Sequence, residues 1–108
     1  MGYVYLMLEE HSGDVETYKL GISKNDPNLR LKQLSTGNSN KIRIVNFYES
    51  DNYKKIEGIL HRKYYNFKTE ANNEWFHLDD DSIFSFIDEC KKADETISFL
   101  KENNPFYK

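Results

Sequence analysis

Tyrosines, cations and one carboxylate–imidazole pair recur in this sequence at spacings that gather them. Tyr3 and Tyr5 alternate along an apolar stretch and share one face of it as a strand. Tyr18 and Lys19 fall on opposite faces of a second such stretch, and Arg30 stands near the start of a predicted helix. Glu57, His61 and Tyr64 follow one another at spacings of four and three, so they share a side of another helix. Phenols, imidazole and carboxylate move protons, cations bind anions, and carboxylates bind cations. Each also has a plainer reading. The tyrosines can be core residues of a hairpin, Arg30 can pair with Asp26, and Glu57 can be a surface carboxylate paired with His61.

The elements that must position these groups are legible. Gly2 to Ser23 reads as a hairpin, Tyr3-Val4-Tyr5-Leu6-Met7-Leu8 and Thr17-Tyr18-Lys19-Leu20-Gly21-Ile22-Ser23, with Ser12-Gly13-Asp14 at the turn. Gly21 inside a strand marks a bulge or a close backbone approach. Asp26 and Pro27 predict the cap and first residue of a helix to about Leu34, with Leu31 and Leu34 inward and Gly37 available to end it. Ile42 to Tyr48 reads as a third strand with Ile42, Ile44 and Phe47 inward. Ser50 or Asp51 caps a helix from Asn52 to about Tyr65, buried along Ile56, Ile59, Leu60 and the stem of Lys63. Asn66 to Asn73 reads as loop, and Glu74-Trp75-Phe76-His77-Leu78 as a short strand or packed turn in which Trp75 and Phe76 are core anchors. Asp79-Asp80-Asp81-Ser82 opens an acidic-started helix, and Asp94 or Glu95 opens a last one. The expected fold is α+β: a small three-stranded, mainly antiparallel sheet flanked by helices, with extra C-terminal helices.

At 108 residues the chain is expected to form one domain, with a core at 2–78 and a helical extension at 79–108. A single cysteine, Cys90, excludes an internal disulfide and fits a reducing, intracellular compartment. No apolar run approaches the ~20 residues that cross a bilayer, so no membrane partner is expected. The net charge of −3 conceals a polarity. Lys19 to Lys68 holds eleven basic residues against four acidic ones, a net of +7, and the rest carries −10. A basic middle of this kind makes a local anion-binding surface unless folding interleaves the charges.

Tyr3-Val4-Tyr5, Lys19-Leu20-Gly21, Arg30 and Glu57, in that order and on those elements, resemble the GIY-YIG nuclease pattern. Three pieces point to the branch of bacteria, phages and large DNA viruses. They are Lys19-Leu20-Gly21 in place of Tyr-Ile-Gly, the run Arg30 to Asn38, and Glu57-Gly58-Ile59-Leu60-His61 followed by Glu74-Trp75-Phe76. The resemblance spans Gly2 to about Leu78. It departs from the pattern where Lys19 replaces the second tyrosine and where Leu34 stands at a position often held by histidine. An asparagine that often follows the metal glutamate matches Asn72 by spacing, with Asn73 next to it.

The resemblance implies a phosphodiesterase with one divalent metal, Mg2+ or Mn2+, acting on DNA. Tyr5 takes the position of the tyrosine that activates water. A phenol ionises near about 10, so such a base needs positive charge beside it, which Lys19 and the metal would supply. Arg30 takes the phosphate-holding position, Glu57 the metal-ligand position, and His61 can orient water, protonate the leaving group or touch phosphate. Nucleic acid is expected along Lys41, Arg43, Lys54, Lys55, Arg62 and Lys63. Two other classes stay open: a catalytically weak nucleic-acid-binding module of the same fold, and an interaction protein using its aromatic surface and C-terminal helices. Oligomeric state stays open as well, since a lone domain that cuts both strands must dimerise or nick twice.

Overall fold

Strand β1 (Gly2–Glu10) is apolar on both faces because it is covered on both: Val4, Tyr5, Leu6, Met7 and Leu8 are all buried. It is an inner strand of the sheet and pairs antiparallel with β2 (Glu16–Ser23) on one side and β3 (Lys41–Ser50) on the other. A two-residue strand, β4 (Trp75–Phe76), pairs antiparallel with Tyr18 and Lys19 of β2. The sheet is therefore four-stranded, in the order β3-β1-β2-β4, where the sequence predicts three strands and a short aromatic segment. The structure is a computed structural model and describes residues 1–10, 16–36, 41–69, 75–104 and 106. The expected hairpin turn at Ser12-Gly13-Asp14, the Gly37 cap and Asn72 lie outside the described residues.

The register shifts once. Leu6 pairs with Asn46, but Met7 pairs with Ile44, leaving Val45 as an extra residue in β3. This bulge explains how Ile42, Ile44 and Phe47, which do not alternate, share a face: Phe47 pairs with Tyr5 and Ile44 with Met7. Phe47 meets Tyr3 edge-on at 5.8 Å but stays exposed.

Helix α1 (Pro27–Ser35) begins as predicted, with the Asp26 carboxylate accepting from the Asn28 N–H at 2.9 Å and proline in the first turn. It lays Leu31 and Leu34 on Tyr5, Met7, Ile42 and Ile44, the smaller of two apolar clusters. The larger cluster lies on the opposite sheet face. There α2 (Tyr53–Lys63) sets Tyr53, Ile56 and Leu60 against Val4, Leu6, Leu8 and Leu20. A 3-10 turn at Tyr65–Phe67 follows α2, where the sequence reads helix to Tyr65 and then loop. Tyr64, expected beside Glu57 and His61, instead turns into this core against Phe76.

The C-terminal helices divide at a different place from the expected one. α3 (Asp80–Phe84) is capped by the Asp79 carboxylate on the Ser82 N–H at 2.8 Å. α4 (Phe86–Asn103) then runs without a break through Asp94. Asp94 is not a cap because its carboxylate is taken by tertiary partners: Tyr48 Oη at 2.8 Å, Ser50 Oγ at 2.9 Å and Asn52 Nδ2 at 2.8 Å all donate to it. Lys101 in turn donates to Asn52 Oδ1. This cluster ties α4 to the end of β3 and the start of α2. No helix among the described residues is long and apolar enough to cross a membrane.

Candidate functional site

Pairing fixes the first half of the site. Tyr5 is opposite Gly21 and Met7 opposite Lys19, so Tyr5, Gly21 and Lys19 share the sheet face that carries α1. The glycine marks a close approach. A Cβ at Gly21 would stand 2.9 Å from Tyr5 Cε1 and closer still to the hydroxyl, so the phenol crosses β1 to lie over bare β2 backbone. The ring of Tyr5 belongs to the small apolar cluster and is 1% exposed, while its hydroxyl end reaches away from that cluster toward β2. Lys19 is buried as well, with its Nζ 5.6 Å from the centroid of the Trp75 ring on the neighbouring strand. Trp75 thus holds the candidate cation, beyond the anchoring role expected of it. The sequence shows the short aromatic segment but not that it lies beside Lys19.

Tyr3 shares this face but has the wrong surroundings for a base. Hydrogen bonding to Glu49, that carboxylate's charge, burial and the charge of Asp26 all raise its pKa above the usual phenol value. Arg30 does not pair with Asp26. Its Nη1 donates to Gln33 Oε1 at 3.2 Å, while Asp26 Oδ1 caps the helix. Arg30 is partly exposed and adjoins Leu31, on the sheet face of Tyr5 and Lys19.

Glu57 and His61 come from the other side. Both lie on α2, whose apolar stripe packs against the face opposite Tyr5. His61 Nε2 is 3.9 Å from Glu57 Oε2, and both side chains are about a quarter exposed. Two contacts fix how α2 runs along the sheet. Its first residue, Tyr53, fills the space beside Gly2, where a Cβ would be 2.7 Å from the ring. His61 meets Phe76, which pairs with Tyr18, at a tilted 5.3 Å between ring centroids. Glu57 lies midway between these anchors, about one helical turn from each. β4 covers only Tyr18 and Lys19, leaving the outer edge of β2 from Leu20 to Ser23 without a strand among the described residues. Tyr5 and Lys19 lie on one face of the sheet, and Glu57 on the helix that packs against the other. Among the described residues no three His, Cys, Asp or Glu gather. A single carboxylate of this kind suits a hard cation that keeps most of its own waters.

The six basic residues expected to hold nucleic acid are not equivalent. Arg43 donates to Glu10 at 2.6 Å, and Lys63 lies 3.0 Å from Glu89. Lys41 is exposed at the start of β3. Lys54 and Arg62 are exposed on α2, Lys54 with its Nζ 5.9 Å from the Tyr53 ring. Lys55 lines a cavity of about 280 Å³ with Lys54 and Lys101. Lys101 was not anticipated, because it enters from α4, about 50 residues away in the chain.

A family model, the T5orf172 domain, matches residues 2–98, and the chain belongs to that family. T5orf172 domains are associated with GIY-YIG- and HNH-type nucleases of phage proteins, an association that points to a nucleic-acid-related role. No curated protein and no solved structure matches the chain.

Proposed function

We propose that this chain is a metal-dependent endonuclease of the GIY-YIG type that hydrolyses DNA phosphodiester bonds. The observation that carries the reading is the open edge of β2, with Tyr5 and Lys19 on one sheet face and Glu57 on the helix that packs against the other. A phosphodiester docked around that edge would meet both groups. Arg30 offers a planar fork to the scissile phosphate once released from Gln33. The Tyr5 hydroxyl is the base candidate, with buried Lys19 on the same sheet face. Glu57 would hold Mg2+ or Mn2+, whose positive charge stabilises the charge that builds on phosphate oxygens. His61, 3.9 Å from Glu57, would orient water or protonate the leaving oxygen.

A second reading, a catalytically weak nucleic-acid-binding module, is favoured by two observations. Tyr5 is 1% exposed, and Leu34 packs into the core where many such nucleases carry a proton-transfer group. Nicking of supercoiled plasmid and of branched DNA with Mg2+ or Mn2+ decides between them. The nuclease reading expects metal-dependent nicking by the wild type and none by Glu57→Ala. Equal DNA binding with no cutting by either protein supports the module instead.

A further inference from the structure

Gly58 lies in the interior of α2, where glycine is destabilising relative to alanine. The fold does not require it. Its backbone is not left-handed, and outside the helix's own backbone a Cβ there would meet only Arg62 Nη1, at an ordinary 3.8 Å. The contrast is with Gly2 and Gly21, each of which has a tyrosine ring in the space a side chain would need. Gly58 therefore leaves a bare turn on a helix that would be steadier without it.

What surrounds that turn is charged. Lys54, Gly58 and Arg62 stand four residues apart, in one row along the outer side of α2, with Lys54 and Arg62 exposed. The guanidinium of Arg62 lies over the bare turn, at the 3.8 Å just given. Glu57 and His61 form the adjacent row, between this one and the buried stripe. The two cations are eight residues apart, or roughly 12 Å along the axis. Lys63 is turned away, to Glu89 of α4.

We infer that the Lys54–Gly58–Arg62 row is a seat for a nucleic-acid backbone, in which Gly58 lets a phosphodiester lie directly against the helix between the two cations. The inference deepens the nuclease reading and rests on it: a backbone seated in this row runs beside Glu57. The backbone N–H groups of a helix interior are already bonded, so Gly58 supplies room and the side chains supply charge. A methyl group at position 58 would stand outward in the middle of the row and lift the strand off it. Arg62, with its fork already over the turn, anchors one phosphate.

The test separates stability from binding, because the two move in opposite directions. Gly58→Ala is expected to raise the melting temperature by several degrees, as an alanine in a helix interior does. In fluorescence anisotropy with a labelled DNA oligonucleotide in EDTA, the same variant is expected to bind at least fivefold more weakly. Arg62→Ala is expected to weaken binding and to reduce the slope of log K against log salt by about 1. A Gly58→Ala protein that is more stable and binds as well as the wild type overturns the inference. So does one that melts lower, since the glycine then serves the fold, and so does a wild type that binds an acidic peptide as tightly as DNA. If the wild type binds no DNA at low salt, the inference and the nuclease reading fall together. If it binds and nicks DNA and Gly58→Ala does both equally well, only the seat falls.

Discussion

Gly21→Ala tests whether the Tyr5 phenol lies over the bare β2 backbone at Gly21. The backbone at Gly21 is not in the left-handed region, so alanine brings no strain in φ, and the whole effect is the collision of one methyl carbon with the Tyr5 ring. The nearest ring atoms lie at 2.9 Å or less, against about 3.5–4.0 Å for a comfortable carbon contact. The ring is 1% exposed and sits among Met7, Ile42, Leu31 and Leu34, so it cannot swing aside without opening that cluster. Overpacking of this kind costs about 1–3 kcal/mol. For a chain of this size each kcal/mol is roughly 4–8 °C in melting temperature. Tyr5→Leu shortens the side chain, removes the colliding atoms and carries its own cost of lost burial. In that background Gly21→Ala should be close to neutral, giving a coupling of about 1 kcal/mol or more. Thermal or urea denaturation of the four proteins provides the cycle. A Gly21→Ala protein of wild-type stability, or strict additivity of the two substitutions, refutes the placement of the phenol over Gly21.

Three further outcomes follow from other parts of the fold. Burial alone would raise the pKa of Asp94, but hydrogen bonds from Asn52, Tyr48 and Ser50 and the charge of Lys101 outweigh it and hold the carboxyl below its ordinary value. A depressed carboxyl adds stability above its unfolded pKa of about 3.9 and loses it as pH falls through the folded value. Asp94→Asn should therefore destabilise by about 1–3 kcal/mol near pH 7, with the gap to wild type closing below about pH 4 in denaturation curves. The Tyr64 hydroxyl is buried without a hydrogen-bond partner among the described residues. Tyr64→Phe should thus be neutral or stabilising by about 1 kcal/mol, and a clear loss of stability would contradict that. Burial, with the charges of Asp94 and Glu89 adding to it, pushes the Cys90 thiol up to about 12. Folded protein should resist iodoacetamide at pH 8 and react once denatured, as mass spectrometry would read.

The elements visible in the sequence were those whose signal is local. The hairpin followed from alternation, and α1 from Asp26-Pro27. The Glu57–His61 pair followed from a spacing of four. The β3 bulge was hidden because one extra residue, Val45, breaks the alternation on which the reading depends. β4 is two residues long, too short for any period. Asp94 looked like a cap because aspartate favours caps, and only the tertiary partners Tyr48, Ser50 and Asn52 show why it sits inside a helix. The candidate site residues are legible as types in order. Their distribution over two faces of the sheet is not, because it depends on which side α2 packs, and an amphipathic stripe does not choose a side.

The proposed nuclease needs Tyr5 and Glu57, from opposite faces of the sheet, to act on one phosphodiester. Single-turnover cleavage of a labelled DNA by wild type, Tyr5→Phe, Glu57→Ala and the double variant tests it most directly. Groups that act as a unit are strongly non-additive. Each single variant should lose about 10²–10⁴-fold in rate, and the double should be little worse than the poorer single. If Tyr5→Phe cuts as fast as the wild type, or if the two losses multiply, the two residues do not serve one site.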